Sequence, residues 1–587
     1  MPSFSLSGIF CRRSTFWPVA GMVVMVFLAY FRRFAEFGFY GDDHAFFGGV
    51  INRSWNEAID HFKWCLTKWP QGRPLGMGVN LSLLPYIVYS LGGVVGLHFA
   101  GFLIASTNGV LIYRLLKAYH PPLIAWSSAG FYLLAPVDTV QNSLVYAYNF
   151  ELAVTTCLLA ALAALRGRSI LFILFLAMGL LMVEPVAMFA LFAPLCLGVR
   201  LDRDWLWWSF RHVLRWTGTV LAVLICRQII GDPWGSERVS EMTANPLLTL
   251  KSGLTTSTTG FHTHFDLIAE RLIQPFREAD GEVFTTMLAV GAISAFILWW
   301  LNSADSLRSS GGNSASIATP ESSSKWTGIV ALAAGGSVIM LAVYFAYFRA
   351  PWAPANWRTG FMSGVHVIAE LGSCLIFASC VLLLTKLLSY RLRPLTFALP
   401  VFVFTAFAGF GTLVQRDYAN SWFFQRSFWQ AYGRQCADAG ESTFVVVLDK
   451  NLPPVRYIDL FSWGAEILPG ALYRYGAVSI AEAATLNQPI TRPPTVILTA
   501  PELTTAIQQK ESGYAWKPTY YFMLPKDSTQ QPADKNVIVM THEGQGRWSR
   551  IEGNATVDQG TLQLKSSSDP DILRHTPKAP LAAAYGL

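Results

Sequence analysis

The residues best suited to chemistry lie just after the first apolar run. The segment Phe37-Gly-Phe-Tyr-Gly-Asp-Asp-His-Ala-Phe-Phe47 sets Asp42, Asp43 and His44 side by side in an aromatic surround. Paired carboxylates near a membrane surface are costly unless they are hydrated, paired or used. Asp42 fits two roles. It caps a short helix that starts at Asp43, because an aspartate side chain accepts from first-turn N–H groups, or it takes a proton from an acceptor hydroxyl. Capping explains only one of the two aspartates, so Asp42 and Asp43 are both candidate catalytic residues.

Cations follow. Gly72-Arg73-Pro74-Leu75 supplies Arg73, and Phe348-Arg-Ala-Pro-Trp-Ala-Pro-Ala-Asn-Trp-Arg358 supplies Arg349 and Arg358 among prolines and tryptophans. A guanidinium grips phosphate oxygens in a fixed fork. The three arginines are therefore candidate phosphate partners, with loop anchoring (Arg73) and interfacial snorkelling (Arg349, Arg358) as the plainer roles. His44, Glu184 and Tyr146 are candidates for a cavity or an acceptor. Glu184 precedes Pro185 between two apolar runs, and Tyr146 sits with Tyr148 between Asp138 and Glu151, where ordinary loop solvation is the alternative. His262, His264 and Asp266 would share one face of an extended segment and could bind a divalent metal, or be solvated. His366 and Glu370, four apart, would share a helix face as a buried pair. No metal site and no cofactor is assigned, although a divalent metal is compatible with these residues. No glycine-rich phosphate loop or dinucleotide fingerprint is present.

The elements that must position these groups are set by hydropathy. The chain of 587 residues is 52% hydrophobic and 14% charged, well short of the roughly one quarter charged that a soluble surface uses. Lipid must cover the difference, and apolar runs in lipid must be helices. About eleven spans are predicted. They are Phe16–Phe31, Gly101–Leu116, Leu123–Val137, Phe150–Leu165, Ile170–Val183, Pro185–Leu197, Val213–Ile230, Val283–Leu301, Trp326–Phe348, Met362–Leu388 and Leu395–Val414. Leu81–Leu97 is expected to lie along the membrane surface. The net charge of +7 gathers in short segments between spans, which marks their cytoplasmic ends and argues against nucleic acid. Residues 1–414 thus form a membrane domain with outer loops at 32–80 and 231–282 and a Ser/Gly-rich cytoplasmic linker at 302–325. Residues 415–587 read as an outer α/β domain with a disordered tail. Strands are predicted at Thr443–Leu448, Thr495–Leu498, Thr519–Leu524 and Asn536–Met540, with helices at Ile458–Leu468 and Pro501–Gln509.

The order of elements (an N-terminal span, an outer loop opening on an acidic pair, a short helix, then Arg73-Pro74) resembles the GT-C membrane glycosyltransferases, a superfamily that includes protein O-mannosyltransferases and lipid A aminoarabinose transferases. The resemblance covers roughly the first two hundred residues. It implies a polytopic GT-C-like fold, a polyprenyl-phosphate-linked sugar donor, a glycan, lipid or protein acceptor, and catalysis by the first-loop acidic residue, here Asp42 or Asp43. It also implies a bacterial inner (plasma) membrane enzyme acting on the outer face. A transporter or flippase of lipid-linked glycan and a non-enzymatic envelope scaffold are the other readings. Transport would call for internal repeats and mid-membrane charges, and a scaffold leaves the paired aspartates without a role.

Overall fold

Backbone that crosses hydrocarbon must satisfy its own N–H and C=O groups, and the apolar runs do so as helices. The computed structural model describes residues 13–68, 73–197, 199, 202–230, 244–310, 325–347, 355–388, 394–436, 443–448, 455–458, 495–499, 537–557, 560–563 and 583–584. Among these, seven helices are long and apolar enough to cross a membrane, and Pro122–Leu134, Ser169–Leu180 and Glu184–Leu197 are shorter apolar helices. The protein is a helical membrane protein.

Its helices are α1 (Arg13–Val26), α2 (Asp43–Ile51), α3 (Trp55–Lys68), α4 (Leu84–Lys117), α5 (Pro122–Leu134), α6 (Leu152–Leu165), α7 (Ser169–Leu180), α8 (Ala187–Leu197), α9 (Arg203–Ile230), α10 (Pro246–Arg277), α11 (Gly281–Ser310), α12 (Lys325–Ala346), α13 (Glu370–Leu387) and α14 (Pro394–Gln435). α5 is buried from Ile124 to Leu134, as expected of a helix apolar on all sides. It packs against α4, α13 and α14. Trp126 Nε1 donates to the Pro18 carbonyl at 3.0 Å and Ser128 Oγ to that of Cys374 at 2.8 Å, so its few polar atoms tie it to α1 and α13.

α1 ends in a π-helical turn, Phe27–Phe31. The wider turn disturbs the regular ladder and is tolerated where a side chain meets the displaced groups. Gln415 of α14 does this. Its amide donates to the carbonyls of Leu28 (2.9 Å) and Ala29 (2.6 Å) and accepts from Arg33 N (3.0 Å).

Three expectations about the elements are corrected. The region 231–282 is not simply a loop, because α10 fills residues 246–277. Its buried positions include Gly253, Ser257, Gly260, His264, Leu267 and Arg271, a spacing of three and four that small polar residues hide from a hydropathy reading. Asn245 caps it, accepting from Leu248 N at 3.2 Å. Leu81–Leu97 and Gly101–Leu116 do not divide between residues 97 and 101, because the break between two helical segments falls at Gly93. α4 thus comprises two helical segments that meet at a kink at Gly93 (φ 60°, ψ −154°), a conformation that glycine adopts without steric cost. The first polar loop is largely helical as well, with α2, α3 and a π-helical stretch Leu75–Leu83 within residues 32–80.

α14 has 42 residues, roughly 63 Å at 1.5 Å per residue, about twice the hydrocarbon thickness. It runs straight through Val414 and carries the β region on its far half. Strands β1 (Thr443–Leu448), β2 (Thr495–Thr499), β3 (Val537–Gly544) and β4 (Arg547–Ile551) form a sheet in the order β2-β1-β3-β4, and β5 (Asn554–Val557) pairs with β6 (Gly560–Gln563). β1 is parallel to β2 and β3, while β3 and β4 form an antiparallel hairpin. Trp548 of β4 docks the hairpin. Its ring lies 4.9 Å from Phe424 and 5.0 Å from Phe428, and its Nε1 donates to Ser427 Oγ at 3.0 Å. Three expected strands are present. Thr519–Leu524, Pro501–Gln509, residues 459–468 and the linker segment 311–324 lie outside the described residues.

Replacing Gln415 with Leu leaves two carbonyls and one N–H without their partner. A loss of about 2–4 kcal/mol is expected, read as a lowered melting temperature in detergent with the helical circular dichroism retained.

Candidate functional site

The segment after α1 is moored to α14. Tyr40 Oη donates to the Tyr418 carbonyl at 2.8 Å, and the two rings meet edge-on at 4.5 Å. A Cβ on Gly38 would lie 1.9 Å from the Trp422 ring, so only glycine allows this approach. His98 Nε2 donates to the Gly38 carbonyl at 2.8 Å. His44 Nε2 lies 3.1 Å from Gln425 Oε1 and donates to it, since Gln425 uses its amide nitrogen on Ser421 at 3.0 Å. Burial pushes His44 down to about 4, so it is neutral near pH 7. Its role is to hold the segment.

Asp43 is fully buried and saturated. Oδ1 accepts from Ser143 Oγ (3.0 Å) and Val145 N (2.8 Å), and Oδ2 from Tyr40 N (3.1 Å) and Leu144 N (3.2 Å). It clamps the first loop onto the segment that enters the π-helical turn Tyr146–Glu151. Burial raises its carboxyl to about 7 against the opposing pull of these donors. With four donors in place, neither oxygen is left to accept a substrate proton, so the geometry gives Asp43 a structural role.

Asp42 differs. It stands at the N-cap of α2, yet its side chain makes no capping hydrogen bond. The carboxylate is 7% exposed, and Oδ1 is buried with no protein partner. Burial, and then the Asp43 charge, push it well above the ordinary carboxylate range. Tyr146 lies within electrostatic reach of Asp42, Asp43, Asp138 and Tyr347. Its ring stacks on Phe150 at 4.8 Å.

Tyr347, at the end of α12, is in turn within electrostatic reach of Arg73 and Glu184, and its buried hydroxyl meets no protein partner. Arg73 holds Glu184 by both ends of its fork, Nε to Oε1 at 3.1 Å and Nη2 to Oε2 at 2.6 Å. Arg227 of α9 adds Nη1 to Oε1 at 2.7 Å. These side chains are 22%, 29% and 7% exposed for Arg73, Glu184 and Arg227. Two guanidinium groups meet on one carboxylate. Tyr347 thus lies within electrostatic reach of Tyr146 as well as of the Arg73–Glu184 pair.

Other candidates sit elsewhere. Arg358 is half exposed and paired with Glu270 at 2.5 Å, and its carbonyl accepts from Arg271. Arg349 lies outside the described residues. Asp138, expected in a solvated loop, is 2% exposed. Its Oδ1 accepts from Val140 N at 2.8 Å, and its carbonyl segment is bound by buried Arg271. The helical path of α10 separates His262, which pairs with Asp266 at 3.0 Å on the surface, from His264, which meets Tyr344 Oη at 2.9 Å in the interior. The expectation of an extended face shared by all three is therefore wrong. His366 bonds Tyr344 Oη (2.7 Å) and the Trp357 carbonyl (2.8 Å). Among the described residues, no group of three or more His, Cys, Asp or Glu could hold a metal ion.

Sequence reasoning missed Arg227 and Tyr347. An arginine within the apolar run Val213–Ile230 was the available signal, since a charge there is held by a partner or by a function. Comparison with protein-family models, with curated proteins and with solved structures finds no match.

The two aspartates are expected to separate cleanly in stability. Asp43→Ala strands three N–H groups and a hydroxyl, and should cost about 3 kcal/mol or more in thermal melts. Asp42→Asn removes a buried group that resists ionisation without removing a hydrogen bond, and should leave the melting temperature unchanged or raised.

Proposed function

We propose that this chain is a GT-C-type membrane glycosyltransferase that moves a sugar from a polyprenyl-phosphate donor to a hydroxyl of a cell-envelope glycan, lipid or protein. The reaction takes place on the outer face of a bacterial inner membrane, with the C-terminal region extracytoplasmic. The observation that carries this reading is the Asp42 carboxylate. It is buried, it makes no cap, its Oδ1 has no protein partner, and its backbone is fixed by the Asp43 clamp. An orphaned buried carboxylate is expensive to keep, and such groups gather where a proton is exchanged.

The chemistry asks little else of the protein. The acceptor oxygen attacks the anomeric carbon as the bond from that carbon to the phosphate oxygen breaks. The hydroxyl proton passes to Asp42 Oδ1, and the polyprenyl phosphate leaves with the bonding pair. Phosphate is a good leaving group, so no strong acid is needed. A single displacement inverts the anomeric carbon. The two guanidinium groups of Arg73 and Arg227, held on one carboxylate, support the reading, since such groups favour a developing phosphate charge.

The test is transfer from polyprenylphosphoryl sugars by the purified full chain in nanodiscs. Asp42→Asn is expected to reduce the rate by roughly a hundredfold or more. The wild-type rate should rise with pH along a limb displaced above the ordinary carboxylate range, because burial and Asp43 hold Asp42 protonated to higher pH. An unchanged rate in Asp42→Asn, or uptake of lipid-linked glycan into vesicles with no new glycosidic bond, would sink the proposal.

A further inference from the structure

Among the described residues, Asn142 alone has both polar atoms of its side chain buried without a partner. It is 1% exposed, and neither Oδ1 nor Nδ2 reaches a protein hydrogen-bond group. A buried primary amide normally fills these positions, because each unmet donor or acceptor keeps its full desolvation cost. Nothing local relieves the strain. Gln141 turns its own amide nitrogen to the Asp138 carbonyl at 3.1 Å, and Ser143 spends its hydroxyl on Asp43 Oδ1 at 3.0 Å.

Its position gives the orphaned amide meaning. The Asp43–Ser143 hydrogen bond joins two chain segments, and the residues immediately before its two partners are Asp42 and Asn142. The contact that fixes the backbone after Asp42 therefore also fixes the backbone after Asn142, and Tyr146 follows four residues on. Asp42 and Asn142, each with a buried polar atom that meets no protein partner, thus stand one residue from either end of a single hydrogen bond.

We infer that Asn142 is a specificity residue that reads the transferred sugar, its amide donating to one and accepting from the other of two vicinal ring hydroxyls. A primary amide presents a donor and an acceptor side by side, and a vicinal diol offers the complementary pair at matching spacing. This inference rests on the transferase reading. Asn142 transfers no proton and makes no bond. It holds the sugar ring while the neighbouring carboxylate acts.

The experiment measures binding of two lipids to the full chain in nanodiscs, bare decaprenyl phosphate and decaprenylphosphoryl mannose, whose ring carries vicinal hydroxyls, with wild type and Asn142→Leu. Wild type should bind the mannosyl lipid more tightly than the bare one. Asn142→Leu should lose that increment, roughly tenfold in Kd for about one well-made pair of hydrogen bonds, while binding bare decaprenyl phosphate as wild type does. The variant's melting temperature should be equal or higher, since an apolar side chain of similar size relieves two buried orphans. Equal preference for the mannosyl lipid in both proteins overturns the role of Asn142 and leaves the transferase reading standing. A lowered melting temperature with the preference intact marks Asn142 as structural and also overturns it. Failure of wild type to bind either lipid overturns the transferase reading, and this inference with it.

Discussion

One carboxylate sets the geometry of everything around it. Asp43 takes four hydrogen bonds from two segments a hundred residues apart in sequence, closing the first loop over the entry to the π-helical turn at Tyr146. Hydrogen bonds to a charged acceptor contribute about 1.5–3 kcal/mol each. Together they offset a burial cost of several kcal/mol for one ion. The balance leaves little surplus, so the clamp serves mainly to define position. Two tyrosines extend it. Tyr40 reaches Tyr418, and Tyr418 reaches the Thr139 carbonyl at 2.8 Å, so the first loop, the 139–145 segment and α14 form one hydrogen-bonded junction.

The long α14 makes that junction possible. Its residues contact the first helix, the first loop and the β region in turn. Gln415 repairs the π-turn of α1, Asp417 accepts from the backbone of Arg456 (2.8 Å) and Tyr457 (3.1 Å), Gln425 fixes His44, and Ser427 meets Trp548. One helix thereby carries contacts from the membrane helices to the β3–β4 hairpin.

Much of this was legible in sequence where the signal was hydropathy. The apolar runs became helices, and β1, β2 and β3 stand where alternating and β-branched residues put them. α10 was not legible, because Gly253, Ser257 and Gly260 make a helix face by being small and not by being apolar. The chemistry-bearing residues were picked out by type, yet their division of labour was not. Asp42 and Asp43 are chemically identical neighbours, and only the donors of Ser143, Leu144 and Val145 distinguish them. Those donors come from a distant segment that no local pattern announces. Arg73 and Glu184 were both singled out, but their pairing and the third member Arg227 are long-range facts of the same kind.

The pair's electrostatics follow from that division. Asp43 is held near 7 against an ordinary value of 3.8. Between those values the folded state binds a proton that the unfolded state has released, so this group's contribution to stability falls as pH rises from about 4 to about 7 and is level above. Once Asp43 is ionised, its charge adds to burial in raising Asp42, because like charges held close together resist joint ionisation. The satisfied carboxylate thus does two things for the unsatisfied one. It fixes the neighbour's backbone, and it keeps that neighbour avid for a proton. Asp42 makes no capping bond, so it meets the proposed role with an oxygen that the helix does not use.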